Sequence, residues 1–193
     1  FEEKASEHAD NPLLWEKENG KYVSTTYAET RKKVHQFAAG LINLGVQKGD
    51  RIALLSEGRN DWIISELGIL YAGAINVPLS VKLDAATELK FRLSHSGSKI
   101  IIVSGNQAWK IEQIKNDLPE LEQVIYLDTR ENYERYEIPK EEIYNLGANY
   151  LKTNKEDFNH IHQSIQPEDY ANICYTSGTT ADPKGIILSH RNY

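Results

Sequence analysis

A chain of 193 residues with a net charge of −6 has room for one large domain and a sizeable core, and its acidic balance gives no reason to expect a nucleic-acid partner. Its single cysteine, Cys174, excludes an intrachain disulfide and suits a reducing compartment. No apolar run approaches the ~18 residues of a membrane span, and no signal-peptide pattern opens the chain.

Residues 1–11 read as a short charged helix. Short apolar runs at 13–16 and 21–24 flank Glu18-Asn-Gly20, a pair of residue types that favours the tight turn of a β-hairpin. Thr26 followed three residues later by Glu29 has capping-box spacing and opens a helix. Its apolar positions Tyr27, Val34, Phe37, Ala38, Leu41 and Leu44 recur at helical spacing, and Gly45 is the stop signal.

The run 51–55 is a buried strand. Asn60 or Asp61 opens a helix through Trp62, Leu67 and Leu70, ended by Gly73; 74–77 returns as a strand closed by Pro78. A second unit follows: helix over 85–96, strand over 100–103, helix over 107–117, strand over 124–127. Apolar strands alternating with helices predict an α/β fold, a mostly parallel sheet flanked by helices on both faces. Residues 130–168 are polar and weakly periodic, and are expected to form a helix-containing excursion between sheet elements. Within it, Lys140-Glu-Glu142 reads as a solvated face.

The chemistry is concentrated near the end, in Tyr175-Thr-Ser-Gly-Thr-Thr-Ala-Asp-Pro-Lys-Gly185. Apolar runs at 171–175 and 186–188 place this string between two strands. A polyphosphate requires dense donors and a mobile positive charge. Backbone N–H groups around Gly178 can converge on an anion. The hydroxyls of Thr176, Ser177, Thr179 and Thr180 add rotatable donors. Lys184 adds a point charge on a flexible stem, and Pro183 stiffens its approach. The Walker A pattern, G-x-x-x-x-G-K-S/T, does not fit: here the lysine precedes the second glycine, and six residues separate Gly178 from Gly185.

The string resembles the phosphate-loop signature of the adenylate-forming superfamily, whose usual form is an aromatic residue, Thr-Ser-Gly, Ser or Thr, then Thr-Gly-x-Pro-Lys-Gly. It matches at Tyr175, Thr176, Ser177, Gly178, Thr179, Thr180, Pro183, Lys184 and Gly185. It departs at Ala181, where the family has glycine; if that backbone takes positive φ, alanine costs roughly 1–2 kcal/mol. The stretches 49–55, Asn60-Asp-Trp62 and 71–78 are similar to the early core of the same superfamily. The run 68–79 looks most like bacterial long-chain acyl-CoA synthetases.

The resemblance implies two half-reactions. A fatty-acid carboxylate attacks ATP to give an acyl-adenylate and pyrophosphate, and coenzyme A then takes the acyl group. It implies that Thr176, Ser177, Gly178, Thr179, Thr180 and Lys184 hold the ATP phosphates with Mg²⁺ sharing their charge. It places the catalytic lysine and the acidic Mg²⁺ ligand downstream, so no catalytic or metal-ligating residue is assigned within 1–193. The chain is accordingly expected to be the N-terminal part of the large domain, inactive alone, in a cytoplasmic protein that touches membrane only through its substrate. An activator of aryl or amino acids, and a non-catalytic nucleotide-binding homologue, are the alternatives.

Other residues carry blander expectations. His160-Ile-His162 would face one way on a strand as a metal pair, but lacks a third ligand and is read as structural. His190 and Arg191 follow the loop and can approach phosphate, with surface capping the preferred reading. Trp15, Trp62 and Trp109 are expected in core or hairpin packing. Cys174 is read as a small buried core residue.

Overall fold

The computed structural model describes residues 1–176 and 183–193. After α1 (Glu2–Glu7), strands β1 (Pro12–Glu18) and β2 (Lys21–Thr26) form a separate antiparallel hairpin. Asn19 and Gly20 both take positive φ, 48° and 83°, the geometry for which Asn-Gly is suited. Thr26 then caps α2 (Tyr27–Asn43): its side chain accepts from the Glu29 N–H, and the Glu29 carboxylate accepts from the Thr26 N–H at 2.9 Å.

The main sheet is built from β3 (Arg51–Leu55), β4 (Ile75–Leu79), β5 (Ile100–Val103), β6 (Gln123–Tyr126), β7 (Glu137–Pro139), β8 (Tyr170–Thr176) and β9 (Lys184–Ser189). Their order is β7-β6-β5-β3-β4-β8-β9. All neighbours are parallel except β8 and β9, which run antiparallel. The helices are α3 (Asn60–Tyr71), α4 (Lys90–Ser96), α5 (Ala108–Ile114), α6 (Lys140–Thr153) and α7 (Lys155–Gln163). This is the expected α/β architecture, a mostly parallel sheet flanked by helices.

Alternation along the strands explains why both faces are covered. Ile52, Leu54, Ile100, Ile102 and Ile125 point into one core with α2, α3 and α6. Ala53, Leu55, Ile101, Val103, Val124 and Tyr126 point into the other, under α4 and α5. Strands buried on both sides read as unbroken apolar runs, which is why 52–55 and 100–103 are legible as strands.

Helices α2 and α6 pack at backbone contact. A Cβ on Gly147 would overlap the Gln36 carbonyl, and one on Gly40 would overlap the Ile143 carbonyl. The paired glycines are the reason two helices about 100 residues apart in sequence meet so closely.

Two expectations are corrected, and the helix over 85–96 is refined in its first turn. Pro78 does not close its strand: β4 continues to Leu79, with Pro78 opposite Leu54. Proline fits there because β4 bonds along its length to β3 but to β8 at the single pair Asn76–Asn172. The 130–168 excursion holds two helices and also β7, which extends the sheet beside β6; three residues are too few to show a strand period. The helix over 85–96 opens with a wide turn at Ala85–Leu89, in which the Leu89 N–H donates to the Asp84 carbonyl at 2.9 Å.

Candidate nucleotide site at the end of the sheet

Strand β8 runs parallel to β4, so the loop that follows it leaves from the carboxyl edge of the parallel strands. Open α/β sheets bind ligands at this edge. The antiparallel ladder of β8 and β9 ends at the pair Thr176–Lys184, preceded by Tyr175–Gly185. The two ends of the loop are thereby fixed side by side, with the Thr176 hydroxyl and the Lys184 ammonium at its base. Both residues are exposed. Ser177, Gly178, Thr179 and Thr180, together with Ala181, lie outside the described residues.

Gly185 is required by packing. A Cβ there would stand 2.9 Å from Ile173 Cγ2 and 3.5 Å from Tyr175 Cζ. The Tyr175 ring lies across this glycine and packs against the core under α4 and α5. Burial pushes the Tyr175 phenol above its ordinary pKa, so it remains a neutral hydrogen-bonding group.

The same edge carries a polar cluster that sequence reading does not single out. The Glu57 carboxylate, just after β3, accepts from Ser104 Oγ at 2.6 Å and Gln107 Nε2 at 2.7 Å, both just after β5. The Ser104 hydroxyl, against a smaller cost of burial, and the Gln107 amide hold Glu57 below the usual carboxylate range. The Asp128 carboxylate, after β6, accepts from the Gly105 N–H at 2.7 Å and from Arg59 at 2.8 Å. Arg59 also pairs with Asp61 at 3.0 Å, and Lys140 with Asp61 at 2.6 Å. Lys140 is thus part of an ion network and not of a solvated face. With Glu57 the cluster holds three carboxylates and two cations, and it ties together four strand ends, those of β3, β5, β6 and β7. At ~4.8 Å per strand it stands roughly 10 Å along the edge from β8. The one available signal was position: Glu57, Ser104 and Asp128 each fall within two residues of the end of an apolar strand.

The remaining candidates are placed elsewhere. His160 and His162 lie on α7, two residues apart on a helix, and so point to different sides. His162 stacks on Tyr71 with ring centroids 4.4 Å apart, and burial lowers its pKa. Among the described residues no group of three or more His, Cys, Asp or Glu side chains gathers as a metal cage. His190 follows β9 at the far end of the ladder, beside Tyr170, and its N–H donates to the Asp169 carbonyl. Six residues at ~3.3 Å put it about 20 Å from Lys184, which rules out an approach to phosphate at the loop base. Trp62 packs on the core, whereas Trp15 and Trp109 are more than half exposed. Cys174 is half-buried; its thiol donates to Asn172 Oδ1 at 3.1 Å, and burial pushes its pKa up. Among the described residues no helix is long and apolar enough to cross a membrane.

The chain is similar to known proteins along nearly all of its length. A chloroplastic long-chain-fatty-acid–[acyl-carrier-protein] ligase of Arabidopsis thaliana is 30% identical over 97% of this chain and 27% of its own length. A mitochondrial medium-chain acyl-CoA ligase of Macaca fascicularis is 29% identical over 88% of this chain and 29% of its own. The chain therefore spans under a third of the length of these relatives. Among solved structures, coronafacic acid ligase from Pectobacterium brasiliense superposes with a TM-score of 0.80 at 25% identity, covering 98% of this chain and 34% of that one. The model of the AMP-binding enzyme family matches residues 1–193, and the chain belongs to that family.

Proposed function

We propose that this chain is the N-terminal part of a ligase that activates a fatty acid with ATP and passes the acyl group to coenzyme A. The observation that carries the reading is the Thr176–Lys184 pair closing the β8–β9 ladder at the carboxyl edge of the sheet. That pair sets a hydroxyl and an ammonium at the base of a loop rich in further donors.

In the first half-reaction a carboxylate oxygen attacks the α-phosphorus of ATP, and the bond to pyrophosphate breaks. Charge develops on the departing β- and γ-phosphates. Fixed donors placed where that charge forms lower the barrier without reorganising. Thr176, Ser177, Gly178, Thr179, Thr180 and Lys184 are assigned to this task. Lys184 supplies the full positive charge, while the cluster around Arg59 and Asp128 keeps the neighbouring strand ends in register. Mg²⁺ is assigned to share the charge of the nucleotide phosphates. The acyl group then moves from AMP to the thiol of coenzyme A in a second displacement. We place the protein in the cytoplasm, in keeping with its single free cysteine.

The test is carboxylate-dependent ATP–pyrophosphate exchange by the complete protein, over acids from acetate to palmitate together with aryl acids and amino acids. Exchange strongest with long acids is the expected result. Strongest exchange with a ring acid would keep the adenylation step and replace the substrate, an arm motivated by the likeness to coronafacic acid ligase. ATP binding without exchange for any acid would point to the non-catalytic reading. Lys184→Ala is expected to weaken ATP use by roughly 10- to 150-fold, since a charge-assisted bond contributes about 1.5–3 kcal/mol. Unchanged ATP dependence in that variant would remove the assignment of the loop.

A further inference from the structure

We propose that His95, on α4, is a positioning residue for the loop after β8: it holds the Tyr175 hydroxyl and thereby fixes the point from which the loop departs. The inference rests on the ATP-binding reading of that loop.

Tyr175 is the last residue of β8 before the loop base, and it faces Gly185 across the ladder. Any shift of Tyr175 therefore moves Thr176 and Lys184, its immediate neighbours on the two strands. Its backbone is held by β9, itself the edge strand of the sheet. Its side chain is held from α4. His95 Nδ1 lies 2.8 Å from the Tyr175 hydroxyl, with the rings edge to face at 5.8 Å. The other acceptor within reach, the Arg92 carbonyl, is 3.4 Å away, so the imidazole is the principal partner.

His95 is itself held. Phe91, one turn earlier on α4, stacks on its ring at 5.3 Å and 21°. The carboxyl end of α4 is bonded to the start of β3, the central strand. Arg51 Nε donates to the Ser96 carbonyl at 3.0 Å, and Arg51 Nη2 to the Gly97 carbonyl at 3.0 Å. The chain of contacts runs from β3 through Arg51 to α4, and from His95 to Tyr175. A strut of this kind ties an edge hairpin to the rigid centre of the sheet. The Arg92 guanidinium, 5.8 Å from the Tyr175 ring centroid, confines the ring from a further direction.

The bond is a positioning contact, because His95 touches Tyr175 and not the loop base. Losing one hydrogen bond that sets geometry is expected to raise the KM for ATP by about 2- to 10-fold, without changing the KM for the acid. The variants are His95→Ala, Tyr175→Phe, their combination, and His95→Asn, which keeps a polar atom near the position of Nδ1. They are made in the complete protein and read in two ways. The first is ATP–pyrophosphate exchange. The expected result is that each single change raises the ATP KM, that the double variant is no worse than either, and that His95→Asn recovers most of the loss. The second is amide hydrogen exchange, which needs no activity. His95→Ala is expected to speed exchange at Thr176, Lys184 and Gly185 while leaving the far part of the ladder, Asn172 and Leu188, unchanged.

Faster local exchange in a parent that shows no pyrophosphate exchange would keep the strut and remove the ligase reading. A parent active in pyrophosphate exchange whose ATP KM and local amide exchange are both indifferent to His95→Ala would overturn the inference and leave that reading standing. Losses that multiply in the double variant, or a uniform rise in exchange along the whole ladder, would also overturn it.

Discussion

Replacing Gly147 by alanine sets two physical effects of opposite sign against each other. Glycine inside a helix costs about 0.5–1 kcal/mol relative to alanine, so helix propensity alone predicts that the variant gains stability. The packing of α2 against α6 predicts a loss. The added Cβ would overlap the backbone carbonyl of Gln36, and a carbonyl in a helix cannot rotate away as a side-chain tip can. The helices must separate, loosening contacts around Phe37, Leu41 and Ile143, which are all buried in the same core. Overpacking costs typically 1–3 kcal/mol, and this contact, backbone against backbone, belongs at the upper end. The net expectation is a loss of about 1–2 kcal/mol. For a unit of this size that lowers the Tm by about 2–8 °C. The assay is thermal unfolding of the complete protein with Asn145→Ala as control, an exposed position on the same helix where propensity acts without the clash. A rise in Tm for Gly147→Ala comparable to the control would refute the close crossing of the two helices.

Two further outcomes follow from the carboxyl edge of the sheet. Glu57 has a folded pKa below its ordinary 4.5, so its contribution is fully present above that value and is lost as pH falls through the lower folded value. The Tm difference between the parent and Glu57→Gln should therefore be largest near neutral pH and shrink below pH ~4, following the ordinary carboxylate range; a difference constant with pH would refute the Ser104–Glu57–Gln107 arrangement. Gly185→Ala should destabilise the β8–β9 ladder by about 1–3 kcal/mol and speed amide exchange at Thr176, because its Cβ meets Ile173 at 2.9 Å. Unchanged exchange there would show that Ile173 gives way freely.

What could be read from the sequence was what neighbouring residues decide among themselves. Asn19-Gly20 specifies its turn because the geometry needs two positive φ values in adjacent residues. Thr26 and Glu29 specify a helix start because the cap closes within three residues. The runs 52–55 and 100–103 declare buried strands because every side chain in them is apolar and both faces are covered. The loop string motivates the proposed anion site because its donors are contiguous in sequence. Tertiary structure alone decided the rest, because the partners are far apart along the chain. It set β3 between β5 and β4, turned β9 antiparallel, and added β7, whose three residues carry no period of their own. It also brought Glu57 to Ser104 across 47 residues, Arg59 to Asp128 across 69, and His95 to Tyr175 across 80. None of these pairs has a local signature, since each depends on which strands lie side by side, and strand order is settled only when both faces of the sheet are buried at once.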